Sequence, residues 1–299
     1  MTDPFSPQWT CDGSATFFSA EFDELFHSEF GAAQEAEGKF VVPCELRRLA
    51  PTQDRIRLLD ICYGLGYNSA AALAAIWAVN PACVVELVAL DVEARPAQAA
   101  IAHHALAHYP AAIVAHLATL STAHRVTTPQ FTAQFHLGDA RQTVQTVVRS
   151  HYQADAIFLD PFSPPKCPQL WTVEFLTQVA QCLAPTGILA TYSCAAAVRA
   201  ALQQAGLQIA SSASVGRKAP GTIARWDGTN LPPLTPREQE HLATRAAVPY
   251  RDRTGTTPAA TILAHRQQEQ AHSPLEPSSQ WKRRWFAPPA STGLTQISG

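Results

Sequence analysis

The sequence predicts a doubly wound α/β fold, a mostly parallel sheet with helices on both faces. Three observations carry this. Short apolar runs alternate with helical stretches of about ten residues through the middle of the chain, as βαβ units require. Several of those runs are continuously apolar, as strands covered on both faces should be. A glycine-containing turn closes the first run and opens a helix, the place where such sheets take ligands.

Arg57–Cys62 (RLLDIC) reads as the first buried strand, followed by the turn and a helix from about Asn68 to Val79. Val84–Asp91 (VVELVALD) is the second strand. Pro96 then opens a helix through PAQAAIAHHALAHY, since proline suits a first helical turn. Phe131–Leu137 alternates like a strand, Ala140–Ser150 is helical, and Ala154–Leu159 (ADAIFL) is another buried strand. Helices are expected over Trp171–Leu183 and Ala195–Ala205, the latter stopped by Gly206, with a strand over Gly187–Tyr192 between them.

The 299 residues are 46% hydrophobic, enough for a large core, and only 15% charged, which excludes a wholly disordered chain. The expected parts are an N-terminal extension over 1–56 packing on the core, the core over 57–229, a basic appendage over 230–286 and a disordered tail over 287–299. The best apolar run, Ser69–Val79, is far short of the roughly 20 residues a bilayer needs, so no membrane span is expected. MTDPFSPQWT has no basic or apolar signal region, which predicts a cytoplasmic protein. The cysteines, at 11, 44, 62, 83, 167, 182 and 194, are odd in number and form no C-x-x-C pair, so they read as reduced thiols.

Charge is unevenly divided. Residues 1–160 carry 9 Lys+Arg against 17 Asp+Glu, a net of −8, and residues 161–299 carry 13 against 7, a net of +6. The positive half is Arg-dominated, its lysines being Lys166, Lys218 and Lys282. An anionic partner fits that half, with uneven surface charge as the plain alternative.

The sharpest local feature is Asp60-Ile-Cys-Tyr-Gly64-Leu-Gly66-Tyr-Asn68. A dinucleotide turn wants G-x-G-x-x-G, whereas here an acid stands four residues before the first of two glycines. That is the pattern of S-adenosylmethionine (SAM) methyltransferases, with Cys62 in place of the first glycine. Asp60 can meet the ammonium of the methionine part, directly or through water, while Gly64 and Gly66 make room for the ligand. Asp91 ends the second strand, where an acid bonds ribose hydroxyls. Asp139 follows the strand expected beside the adenine, where a carboxylate accepts from the exocyclic amine. Any one of these acids is equally an N-cap. Three at successive strand ends beside one glycine turn favour a SAM site.

Asp160 opens a loop stiffened by four prolines, DPFSPPKCPQLW, directly after IFL. A carboxylate beside the methyl donor suits transfer to an amine, because the ammonium must lose a proton and an anion can orient it and accept that proton. Phe162 or Trp171 can stack on a base. The plain alternative is that Asp-Pro only starts a turn.

With DICYGLGYN, FLDPFSPPKCPQLW and GRKAPGT, joined by the N-terminal DGSATFFSAEFDELFHS and EAEGKFV, the chain resembles the MnmC-type tRNA methyltransferases over roughly residues 10–225. Thr244–Arg251 and WKRRW (Trp281–Trp285) look like the tail of their stand-alone members. The resemblance implies a Rossmann-like SAM-dependent methyltransferase that methylates the aminomethyl nitrogen of a modified wobble uridine in tRNA. It places the catalytic aspartate on Asp160. Its cofactor residues fall on the glycine turn (Asp60, Tyr63, Gly64, Gly66, Asn68), Asp91 and Asp139. Phe162, Lys166, Arg217, Lys218, Lys282, Arg283 and Arg284 are the candidates for tRNA contact, with solvated charge as the alternative for the basic residues and turn capping for Lys166. Bifunctional members carry a second, FAD-dependent domain; about 70 residues after the core leave no room for it, so no FAD is expected and a separate enzyme would supply the aminomethyl group.

His104 and His108 have i,i+4 spacing, yet no H-E-x-x-H accompanies them and SAM chemistry needs no metal, so no metal site is expected. Glu35 and Glu37 lie near the family's N-terminal acidic position and receive no role. Competing readings are methylation of another amine, on a small molecule or a protein, and a non-catalytic SAM-fold RNA-binding protein. A nicotinamide oxidoreductase is disfavoured by Asp60 and the missing third glycine.

Overall fold

A computed structural model describes residues 6–215, 219–228 and 230–286. Arg217 and Lys218, and the tail expected over 287–299, lie outside the described residues. Eight strands form the central sheet: β1 Arg55–Ile61, β2 Val84–Asp91, β3 Arg125–Thr127, β4 Phe131–Leu137, β5 Ala154–Leu159, β6 Leu183–Thr191, β7 Gln208–Ser211 and β8 Thr222–Arg225. Their order is β7-β8-β6-β5-β1-β2-β4-β3. The five strands from β6 to β4 run parallel; β8 lies antiparallel between β6 and β7, so that β7 runs with the five, and β3 at the other edge is antiparallel to β4.

The parallel strands are the continuously apolar ones, and the reason is burial. Leu58, Leu59, Ile61, Ile157, Phe158 and Leu159 are wholly inaccessible, because helices cover both faces of the sheet. Helix α1 (Tyr67–Val79) is apolar nearly all round and buried from Tyr67 to Ala72, as expected of a helix pressed between sheet and extension. Helices α2 (Arg95–Ala102) and α3 (Ala111–Ala123) follow β2. The single helix expected through Tyr109 breaks after Ala102, where His104 adopts φ 55°. A β-carbon makes that left-handed geometry incompatible with continuing a helix.

Helix α4 (Ala140–Arg149) is N-capped by Asp139, whose carboxylate accepts from Arg141 N–H, and α5 (Val173–Gln181) is capped by Thr172. Helix α6 (Ala196–Gln204) precedes the two antiparallel edge strands. The C-terminal segment adds α7 (Pro236–Leu242), α8 (Ala259–His272) and α9 (Ser278–Phe286). It packs closely on the core. Ile262 is fully buried, and Arg199 of α6, 3% exposed, pairs with Glu238 of α7 at 2.9 Å. Among the described residues no helix is long and apolar enough to cross a membrane.

The N-terminal residues form two small antiparallel ladders, Gln8–Trp9 with Ala15–Thr16 and Phe18–Ser19 with Glu24–Leu25. A short helix, Ala32–Glu35, passes into a π-helical stretch, Ala36–Val41, whose Phe40 packs edge-on against Phe158 of β5 at 5.8 Å.

Candidate active site

A cavity of about 590 Å³ opens at the carboxyl ends of β1, β2, β4 and β5, and its other wall is residues from the 19–40 stretch. This is where open α/β sheets bind ligands, because helix N-termini and strand ends leave backbone groups and loops free there.

The glycine turn is built downward as well as outward. Cys62 takes φ 64°, Gly64 φ 55° and Gly66 φ 86°. A β-carbon on Gly66 would lie 2.7 Å from Tyr63 Oη. Tyr63 itself is buried under the turn against Phe135, with ring centroids 5.0 Å apart. Neither Tyr63 nor Gly66 is among the residues that line the cavity: Gly66 gives room to the Tyr63 ring, and Tyr63 supports the turn. Gly64 does line it, with Phe26 of the N-terminal segment just above, 3.3 Å from where a β-carbon would stand.

Asp60 is fully buried, and Oδ2 accepts from Ser69 Oγ at 2.6 Å while Oδ1 has no hydrogen-bond partner. Burial raises its pKa to about 7, with Asp91 adding to the rise and Ser69 opposing it. Asp91 lines the cavity and accepts from Gly64 N–H at 2.8 Å and Val92 N–H at 2.7 Å. Burial outweighs those bonds and lifts it to about 6. Asp139 is in the wall, but its carboxylate is engaged by Arg141, through N–H at 2.9 Å and through Nη2 at 2.6 Å. Arg141 continues to Asp252 at 2.8 Å and to the Thr257 carbonyl at 3.0 Å.

Asp160 stands in the opposite wall. Its N–H donates to the Ile61 carbonyl at 3.1 Å, and Asn68 Nδ2 donates to its Oδ2 at 2.9 Å. The structure thus joins Asn68, expected only as a cofactor contact, to the candidate catalytic carboxylate. The following residues are anchored one by one. Tyr192 Oη donates to the Pro161 carbonyl at 2.9 Å, and Trp171 Nε1 donates to the Phe162 carbonyl at 2.9 Å. Trp171 is wholly buried and so is a core residue with no face free for a base. Phe162 lines the cavity, already stacked on Phe22 at 4.3 Å. Lys166 is outside the wall and pairs with Asp23 at 3.1 Å.

The basic residues of the C-terminal half lie elsewhere. Arg284 of α9 pairs with Glu240 at 3.1 Å and with Glu276, and Lys282 and Arg283 are exposed on the same helix, none of them in the cavity wall. Arg266 covers the Tyr250 ring at 4.4 Å and donates to the Val248 carbonyl. Much of this arginine therefore serves packing of the segment itself. His103 and His108 pack on Phe17 and Tyr67, and among the described residues no three His, Cys, Asp or Glu side chains are grouped to hold a metal ion.

Sequence reasoning missed the N-terminal wall. Phe22, Glu24, Phe26, His27, Glu35 and Lys39 all line the cavity. His27 is lowered to about 4 by burial and is neutral near pH 7. Lys39, 2% exposed, donates to the Ala219 carbonyl at 3.0 Å. The lining contains eight carboxylates (Glu21, Glu24, Glu29, Glu35, Asp91, Glu93, Asp139 and Asp160) and one lysine, so its field favours a positively charged ligand. A SAM cofactor, cationic at sulfur and ammonium, fits this charge and the acid at the end of β2; Asp60 is not among the lining residues but keeps a buried, unpartnered oxygen.

The fold and this cavity define a SAM-dependent methyltransferase, and residues 96–227 match the profile of a family described as S-adenosyl-L-methionine-dependent methyltransferase. The solved structure of MnmC2 from Aquifex aeolicus is 30% identical, with a TM-score of 0.76 over 89% of this chain and 85% of that one. The chain belongs to the MnmC-type methyltransferase family, and SAM is its cofactor. An uncharacterized protein, MJ0670 of Methanocaldococcus jannaschii, is 29% identical across 87% of this chain and 70% of its own length. The tRNA 5-methylaminomethyl-2-thiouridine biosynthesis bifunctional protein MnmC of Acidovorax sp. is 30% identical over 89% of this chain, which spans 42% of that relative's length.

Proposed function

We propose that this protein methylates the aminomethyl nitrogen of a modified wobble uridine in tRNA, giving 5-methylaminomethyl(-2-thio)uridine in the cytoplasm, with a separate enzyme supplying the aminomethyl group. The observation that carries the reading is Asp160, fixed in the cavity wall by Asn68 at 2.9 Å. The names of the bifunctional relatives support the choice of tRNA.

The bound cofactor supplies an electrophilic sulfonium methyl. Everything else falls to the chain. An amine reaches the cavity as an ammonium, and the acidic wall attracts it. The Asp160 carboxylate orients that ammonium and accepts its proton, leaving a nitrogen lone pair free to act as nucleophile. The Phe22–Phe162 stack and Phe26, edge-on at 5.2 Å from Phe162, put aromatic surface on the side of the cavity next to Asp160. The same anions repel acidic acceptors, so carboxylate and phosphate oxygens are poor substrates.

The purified chain with SAM should convert aminomethyluridine to methylaminomethyluridine in tRNA lacking the methyl, read by nucleoside mass spectrometry. Methylation of small amines with the tRNA nucleoside unchanged would overturn the assignment.

A further inference from the structure

We infer that Glu24 is a positioning residue: through Ser163 it holds the loop that carries Asp160 in the register the reaction needs. The inference rests on Asp160 being the reacting carboxylate, as proposed above. Three successive residues of the N-terminal hairpin, two in its turn and one in its second strand, grip that loop. Phe22 stacks on Phe162 with rings inclined by 14°, Asp23 pairs with Lys166, and the Glu24 carboxylate accepts from both Ser163 N–H, at 3.1 Å, and Ser163 Oγ. Glu24 is itself fixed, paired opposite Ser19 in a two-residue ladder.

The geometry gives this contact a place in a series. From Asp160 onward each residue has its own anchor: Ile61 for Asp160, Tyr192 for Pro161, Trp171 for Phe162 and Glu24 for Ser163. The first three anchors come from strand ends and helix approaches of the α/β core. The fourth comes from outside it. A carboxylate taking two hydrogen bonds from one residue fixes both the backbone and the side chain at that point, and charge assistance makes such bonds stronger than neutral ones. Ser163 lies three residues from Asp160, so release there lets the reacting carboxylate drift. A misplacement of about 1 Å costs roughly 10²-fold in rate.

Glu24 also lines the cavity, so a direct substrate contact is the rival role, and a double-mutant cycle separates the two. Glu24→Ala should lower kcat by about tenfold or more, with KM for tRNA and SAM affinity by calorimetry within about twofold. Glu24→Gln, which keeps one acceptor oxygen and the side-chain volume, should recover part of the loss and guards against simple misfolding. Ser163→Ala should cost less than Glu24→Ala and nothing further in the Glu24→Ala background. A full Ser163→Ala loss in that background, or a rise in KM in place of the fall in kcat, overturns the inference.

Hydrogen exchange needs no substrate. The Ser163 amide should exchange at least about tenfold faster in Glu24→Ala, and unchanged exchange overturns the inference. A wild-type chain with a protected Ser163 amide and no tRNA methylation would instead overturn the proposed function.

Discussion

Asn68 Nδ2 donates to Asp160 Oδ2 across 2.9 Å, joining the first turn of the helix after the glycine turn to the loop after β5. One amide thereby couples the cofactor side of the cavity to the candidate base. Asn68→Ala should lower kcat by about tenfold or more while SAM affinity stays within a few-fold. Asn68→Asp should be worse, since two carboxylates at that separation cannot both remain ionised. Calorimetry and single-turnover kinetics check both; a large loss of SAM affinity with kcat intact would return Asn68 to a purely cofactor role.

Asp160→Ala should reduce turnover by roughly 10²–10⁴-fold, the usual contribution of a positioned proton acceptor. SAM binding by calorimetry should persist. Retained methylation in this variant would remove the aspartate from the chemistry.

The buried acids make a pH prediction. Asp60 sits at about 7 against an ordinary 3.8, and Asp91 at about 6, so the folded state holds protons that the unfolded chain has released. Stability without cofactor is therefore fully present below the unfolded values and falls as pH rises through about 6 to 7. Asp12, Glu238 and Asp252, each held at about 2, are ionised throughout that window and leave the slope alone, while His27, lowered to about 4, opposes it below its ordinary 6.5 by less than the two acids together contribute. Thermal unfolding should occur at lower temperature at about pH 8 than at about pH 5, and Asp60→Asn should flatten the difference. A cation bound near Asp60 favours its ionised form, so SAM affinity should rise across the same range; a flat profile would place the cofactor ammonium elsewhere.

Arg199 and Glu238 form a nearly buried pair between α6 and α7, with Arg199 Nη2 also donating to Ser211 Oγ at 2.7 Å. Removing one partner strands the other charge. Glu238→Ala should destabilise by about 3 kcal/mol, a fall in Tm of roughly 10 °C, measurable by calorimetry; Glu238→Gln should cost less.

How much of this was legible depends on range. The strands Val84–Asp91, Phe131–Leu137 and Ala154–Leu159 match their expected limits residue for residue, because burial on both faces or strict alternation writes a local signal. The strands Arg125–Thr127, Gln208–Ser211 and Thr222–Arg225 were missed: they are three or four residues long, too short for a periodic signal, and exist through antiparallel pairing, the first with the strand that follows it and Thr222–Arg225 with Leu189–Thr191 some thirty residues back. Helix Ala111–Ala123 was hidden by the continuous Ala/His composition before it, which conceals the break at His104.

In the site, Asp91, Asp139 and Asp160 line the cavity as expected, since the end of a parallel strand is a position that sequence can locate. That the Tyr63 ring lies buried against Phe135 was not legible, because a motif does not say on which side of a turn a side chain leaves. Glu24 and Lys39 fall inside the N-terminal segments that carry the resemblance but drew no role, because two-residue strands and a π-helical stretch have no periodicity to detect.

Arg141 reaches Asp139 with one edge of its guanidinium and Asp252 with another. Trimming the protein ahead of Asp252 would remove one of the two carboxylates that hold the Arg141 guanidinium, leaving Asp139 as its remaining anionic partner in the cavity wall. The far C-terminal segment thereby shares, through one guanidinium, in fixing the orientation of a carboxylate in the cavity wall.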